Sequence, residues 1–131
     1  YENEKCGKIT IIHGDPVFTN ILLTENDEMK FIDMRGKIGN SLTIYGDWLY
    51  DWAKLYQSLI GYDEILMDRP VSLKYKQYMV QEFETYFLTH YSQRDFAHLK
   101  QITKSLLFSL LHLHVENKRR KFYNLIADIC I

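Results

Sequence analysis

Hydrophobic and polar positions change their period once along this chain, near Gly46. Ahead of it the apolar residues come in short runs: Ile9-Thr10-Ile11-Ile12, Ile21-Leu22-Leu23-Thr24 and Met29-Lys30-Phe31-Ile32-Asp33. Runs this short, rich in β-branched side chains, predict strands. The polar connector Glu25-Asn26-Asp27-Glu28 is made of turn formers, so the second and third runs are expected to pair as a hairpin. Gly36, Gly39 and Gly46, with Asn40 and Ser41 between them, predict a flexible, irregular stretch.

Beyond that stretch the period is helical. Trp48, Trp52, Leu55, Tyr56, Leu59 and Ile60 recur at three- and four-residue steps, which predicts a helix stopped by Gly61. Asp68-Arg69-Pro70 reads as a break, and Ser72 as the cap of a helix running to His90 with Tyr75, Met79, Phe83, Tyr86 and Phe87 inward. Asp95 reads as the next cap, ahead of the stripe Leu99, Ile102, Leu106, Leu110 and Leu113. A last helix is expected from Lys118 to Ile131, with Phe122, Leu125, Ile126 and Ile129 on one side. The expected class is α+β, mostly α-helical, a single domain over 1–131 with a short β-hairpin at one end.

Composition adds limits. A length of 131 residues suffices for one core and not two. A net charge of −1 gives no general attraction to nucleic acid or an anionic membrane, so neither is an expected partner. No apolar stretch approaches the roughly 18 residues of a membrane span. Cys6 and Cys130 give no secreted disulfide framework, and a reducing, cytoplasmic setting is expected. The opening Tyr1-Glu2-Asn3-Glu4-Lys5 lacks a signal peptide's apolar core and an initiator methionine, which suggests a piece of a longer protein.

The chemistry concentrates in His13-Gly14-Asp15-Pro16-Val17-Phe18-Thr19-Asn20, followed by Phe31-Ile32-Asp33. Pro16 suits a tight, non-helical loop between the first strand and the hairpin. Antiparallel pairing brings Asn20, at the hairpin entrance, to Asp33, at its exit. Phosphoryl transfer from a nucleotide needs such a set: a carboxylate to deprotonate a hydroxyl, and oxygen ligands for magnesium.

This constellation resembles the catalytic and metal-binding core of the aminoglycoside phosphotransferase and choline kinase superfamily, small-molecule kinases with a protein-kinase-like fold. The run Gly46-Asp47-Trp48-Leu49-Tyr50-Asp51-Trp52-Ala53 is similar to the family's later segment, where an aspartate precedes an apolar residue and alanine at a helix start. The resemblance implies a protein-kinase-like C-terminal lobe. In it Asp15 is the catalytic base, Asn20 and Asp33 bind Mg²⁺ and the phosphates of ATP, His13 is a scaffold residue, and Asp51 supports the loop by accepting hydrogen bonds from its backbone or from His13. The implied function is ATP-dependent transfer of the γ-phosphoryl group to a hydroxyl of a small metabolite: a sugar or capsule precursor, choline or ethanolamine, or an aminoglycoside. The alternative is a pseudokinase-like binding module without turnover.

The chain departs from the family in two places. The N-terminal nucleotide-binding lobe, with its phosphate-binding lysine, has no room in the twelve residues before His13, so the fragment alone is expected to bind nucleotide weakly or not at all. Met34-Arg35-Gly36 stands where many relatives have an aromatic residue and an acid. Arg35 is left with two readings, a phosphate contact or an ion pair with Asp47 or Asp51.

Other candidates read more plainly. His112 and His114, two apart on a helix, point about 200° apart and cannot share a metal, and with His90 and His98 they read as structural. Lys118-Arg119-Arg120-Lys121 reads as a solvated helix face. Tyr45, Trp48, Tyr50, Trp52 and Tyr56 have mostly core spacing, with some of them open to contact an acceptor, since aromatic faces hold quaternary amines and stack on sugars.

Overall fold

A computed structural model describes residues 7–130. Cys6 and Ile131 lie outside them. The chain is α+β with helices in the majority. Strands β1 (Ile9–Ile11), β2 (Ile21–Leu23), β3 (Met29–Phe31), β4 (Lys37–Ile38), β5 (Ser41–Leu42) and β6 (Tyr45–Asp47) precede helices α1 (Trp48–Ile60), α2 (Tyr62–Met67), α3 (Leu73–His90), α4 (Gln93–Leu110) and α5 (Glu116–Asp128). No described helix is long and apolar enough to cross a membrane.

The strands form three separate antiparallel ribbons, β1 with β6, β2 with β3, and β4 with β5. The expected hairpin is β2–β3, in the register Ile21 opposite Phe31 and Leu23 opposite Met29. The glycine-rich stretch is more ordered than its composition suggested. It holds the small β4–β5 hairpin, and β6 crosses back to pair with β1, Ile9 facing Asp47. Strand β6 runs directly into α1. Asp47 caps the helix, its Oδ1 accepting from the Leu49 amide at 2.9 Å, while the Trp48 amide donates to the Lys8 carbonyl at 2.9 Å. The first turn of α1 is thereby fixed to the strand that feeds the His13 loop.

Helix α1 lies at the centre of the core. Leu49, Ala53, Tyr56, Phe87, Phe96 and Leu99 are buried together, with Trp48, Trp52, Phe83 and Ile102 packed around them. A second cluster of Leu107, Phe122 and Ile129 seats α5. Burying side chains of this size stabilises by about 1.5–3 kcal/mol each, against about 1 kcal/mol for a typical cap, so packing rather than propensity holds the helices. Gly61 ends α1 as expected, with φ 133° and its N–H turned back to the Gln57 and Ser58 carbonyls.

Several helical expectations need correction. A short helix, α2, follows Gly61 immediately. In α3 only Phe87 is buried, whereas Tyr75 and Tyr86 are more than half exposed, because α3 packs on α1 chiefly through its C-terminal half. The cap of α4 is Ser92, and Asp95, the third residue of the helix, completes its capping box, each side chain bonding the other's backbone amide at 3.1 Å. Leu113 falls beyond the end of α4 and is exposed. The basic run is a solvated face at Arg119, Arg120 and Lys121, as expected, but its lysines also hold the fold. Lys118 donates to the Leu66 carbonyl at 2.7 Å and pairs with Asp68 at 3.1 Å, and Lys121 reaches Asp68 at 3.5 Å, tying α5 to the end of α2. The ammonium of Lys118 holds the Asp68 carboxyl below its ordinary range.

Candidate functional site

The segment from His13 to Asn20 is a loop closed by a single 3₁₀ turn at Phe18–Asn20. One stripe of α1 reads this loop from below, at helical positions 51, 54 and 58. Asp51 accepts the His13 amide on Oδ2 at 2.7 Å and the Gly14 amide on Oδ1 at 2.8 Å. One turn on, Lys54 Nζ lies 3.0 Å from Asp15 Oδ1, and Ser58 Oγ accepts the Phe18 amide at 3.2 Å. Bonds from amides to a carboxylate are the stronger, charge-assisted kind, so Asp51 fixes where His13 and Gly14 run.

Asp15 is held at both oxygens. Lys54 takes Oδ1, and the Asn20 amide nitrogen donates to Oδ2 at 3.2 Å and to the Asp15 carbonyl at 2.9 Å. Because the Asn20 NH₂ is committed to Asp15, its carbonyl oxygen is the end left to face a ligand. His13 Nδ1 accepts the Asp15 amide at 3.3 Å, and its ring leans on Phe31, centroids 5.8 Å apart. The imidazole is part of the loop's frame, with its buried Nε2 unpartnered.

Asp33 is bracketed against the same loop. The Ile32 amide donates to the Asn20 carbonyl and the Arg35 amide to the His13 carbonyl, both at 3.0 Å. Asp33 itself has φ 56°, a left-handed conformation that costs a non-glycine residue about 1 kcal/mol or more. Its exposed carboxylate has no hydrogen-bond or ion-pair partner among the described residues. The Ile32 and Arg35 amide bonds seat the turn at Asp33 against the Asn20 and His13 carbonyls, beside the loop that Lys54, Asn20 and Asp51 hold. Among the described residues no three His, Cys, Asp or Glu side chains converge as a metal site, so at most two acids and an amide oxygen are offered.

No family model, curated protein or solved structure matches this chain.

Reading the sequence missed Lys54 and Ser58. Their signal was the i, i+3, i+7 spacing from Asp51, a polar stripe on a helix otherwise read only for its apolar face. Asp63 was also missed. Burial pushes its carboxyl above the ordinary 3.8, with the Asp15 charge adding to the rise, while the Ser58 hydroxyl and the Phe18 and Thr19 amides beside it pull the other way. No hydrogen bond closes on either oxygen. Burial likewise raises the neighbouring Tyr62 phenol, helped by the charges of Asp15 and Asp63. Asp63 also lines a largely apolar cavity of about 330 Å³ behind the loop, with Phe18, Leu59, Met67 and Met79. A larger cavity of about 620 Å³ lies between α1, α3, α4 and α5 and includes none of the loop residues.

A raised native value means the folded state holds the Asp63 proton more tightly than the unfolded chain does. This group's contribution is therefore fully present below about 3.8 and is lost as pH rises through the native value. Asp63→Asn is expected to narrow that loss, so its melting temperature relative to wild type should climb between pH 4 and pH 7. Parallel pH profiles for the two proteins would rule this out.

The aromatic cluster divides. Trp48, Trp52 and Tyr56 are core, Trp52 touching Phe83, Tyr86, Phe87 and Tyr91. Tyr45 is exposed, and Tyr50 lies under Arg35. His114 packs on Phe122 and His90 bonds the Tyr86 carbonyl, both structural arrangements.

Proposed function

We propose that this chain is a protein-kinase-like C-terminal lobe whose Asp15 loop transfers the γ-phosphoryl group of ATP to a hydroxyl of a small metabolite. One observation supports this above the rest. Asp15 is oriented through both oxygens by Lys54 and Asn20, on a loop whose backbone is clamped by Asp51. A turn aspartate with no task has no need of three such restraints.

The donor set suits Mg²⁺. The Asn20 carbonyl oxygen and the unpaired Asp33 carboxylate would be the residues that hold the ion, hard oxygen ligands of the kind it prefers. When bound, the ion would supply positive charge against the nucleotide phosphates. The chain's residues do the rest. Asp15 keeps lone pairs beyond those used by Lys54 and Asn20, and one of them accepts the acceptor's hydroxyl proton. The freed oxygen bonds to the γ-phosphorus as the bond to the bridging oxygen breaks and ADP leaves. His13 and Asp51 keep the loop in place.

Ile9, Ile11, Leu23, Phe31 and Leu42 are all more than half exposed at the strand end. An apolar surface of that kind suits a protein contact, and the N-terminal lobe that the resemblance calls for is the proposed occupant. Acceptor candidates are a sugar or capsule precursor, choline or ethanolamine, and an aminoglycoside, the first favoured by the Gly46-to-Leu55 segment.

The test is ADP release by the protein carrying its N-terminal lobe, screened with Mg²⁺, ATP and a panel of hydroxyl-bearing metabolites. Acceptor-dependent release supports the proposal. Folded protein that releases no ADP with any acceptor favours the non-catalytic binding module instead. In the active protein, Lys54→Met is expected to lower turnover roughly 10- to 100-fold by loosening Asp15, with the nucleotide KM unchanged and partial recovery in Lys54→Arg. Unaltered turnover in Lys54→Met would remove Lys54 as a positioning residue.

A further inference from the structure

Arg35 sits at the candidate site and is used by nothing in it. Its guanidinium lies over the Tyr50 ring, 4.6 Å from the centroid, and its stem runs along Gly14. A Cβ added at Gly14 would stand 2.9 Å from Arg35 Cβ and 3.1 Å from Nε, so the residue before Asp15 must be glycine for this side chain to lie there. Gly14 also has φ 83°. The backbone of Arg35 is fixed too, by its amide bond to the His13 carbonyl.

The expected ion pairs do not form. Asp51 gives its two oxygens to the His13 and Gly14 amides, and no carboxylate or carbonyl accepts from the Arg35 guanidinium among the described residues. With its charge over the Tyr50 ring, the guanidinium keeps N–H donors that no protein group accepts among the described residues. A half-buried arginine that is held at stem, backbone and face, with its fork unpaired, is preorganised for an oxyanion.

We infer that Arg35 binds a phosphate group of the ligand beside Asp15. The position relative to Asp15 rests on the phosphotransfer reading, while phosphate binding itself stands on the geometry of Arg35. The phosphate has two sources, the nucleotide's terminal phosphoryl group or a phosphate carried by the acceptor. Arginine suits it better than lysine here, because a planar fork can both stack on Tyr50 and give two parallel hydrogen bonds.

The experiment follows the Arg35 Nε–H signal by ¹H–¹⁵N NMR on the protein carrying its N-terminal lobe, during separate titrations with glycerol 3-phosphate, Mg²⁺-ATP and neutral glycerol. A saturable shift with at least one phosphate probe and none with glycerol is expected. Arg35→Lys should weaken that probe roughly tenfold or more, read from the other loop amides. Response to glycerol 3-phosphate assigns the group to the acceptor, and response to Mg²⁺-ATP alone assigns it to the nucleotide. No shift with either probe, an equal shift with glycerol, or unaltered affinity in Arg35→Lys would overturn the inference. Wild-type spectra decide the matter if the variant fails to fold. Arg35-dependent phosphate binding in a protein without turnover would retire the kinase reading alone, and turnover indifferent to Arg35 would retire this inference alone.

Discussion

Asp15→Asn, in the protein carrying its N-terminal lobe, is expected to slow phosphoryl transfer about 10²–10⁴-fold. The substitution keeps size, the backbone bonds and one of the two side-chain acceptors, and the Asp51 bonds to the His13 and Gly14 amides are untouched, so the loop should stay in place. What it removes is the site that accepts the hydroxyl proton and the negative charge that Lys54 neutralises. Melting temperature should change little, because Asp15 is on a half-buried loop and outside both core clusters. The check is ADP release at saturating Mg²⁺-ATP, with melting recorded alongside. Wild-type turnover in the variant would exclude Asp15 as the base, whatever the fate of the rest of the site.

The second large effect belongs to Asp51→Ala. Here stability and chemistry should fall together, because the same carboxylate holds the loop and sits in the first turn of the central helix. Two amides, those of His13 and Gly14, lose an ionised acceptor at 2.7 and 2.8 Å. Hydrogen bonds to charged groups contribute about 1.5–3 kcal/mol each, and the pair shares one side chain, so the expected cost is about 2–5 kcal/mol by urea unfolding. Asp51→Asn retains one acceptor oxygen and should lie between wild type and the alanine variant. A loss below about 0.5 kcal/mol in Asp51→Ala, the range of ordinary surface substitutions, would show that the loop holds itself without this clamp.

These two variants separate what Asp15 and Asp51 do although both contact the same loop. Asp15→Asn should alter rate with stability nearly intact. Asp51→Ala should alter both. The contrast depends on α1 being anchored to β1 through β6, since a helix free to shift would blur the two effects.

How much of this was legible in the sequence depends on the distance over which each contact acts. The β2–β3 hairpin was legible because its runs are adjacent and joined by turn formers. That pairing brings the Asn20 backbone to Ile32, one residue before Asp33. The α1 span was legible from its period and from Gly61. Asp51 as loop support came from the resemblance, and its bonds to the His13 and Gly14 amides agree with the geometry the resemblance implied.

What was hidden acts across long stretches of chain or at very short elements. Strands β1 and β6 are three residues each and pair across more than thirty positions, so neither has a period that could announce the partner. The Lys54–Asp15 ion pair spans 39 positions and has no local signature. Arg35 was left between two readings because a side chain's choice between a carboxylate and a ring depends on packing. Here the loop amides had already occupied Asp51, and Tyr50 offered its face. Ser92 and Asp95 were confused because both are cap-forming residues three apart, and in a capping box each bonds the other's amide.

The phosphotransfer reading requires that Asn20 and Asp33 form one divalent-ion site next to Asp15. The most direct measurement is paramagnetic broadening of ¹H–¹⁵N spectra by Mn²⁺ in the presence of ATP, on the protein carrying its N-terminal lobe with the signals of these residues assigned. Broadening is expected to centre on the Asn20 side-chain amide and the Asp33 backbone amide, and to be abolished in Asp33→Ala. Broadening centred elsewhere, or unchanged by Asp33→Ala, would contradict a shared ion site.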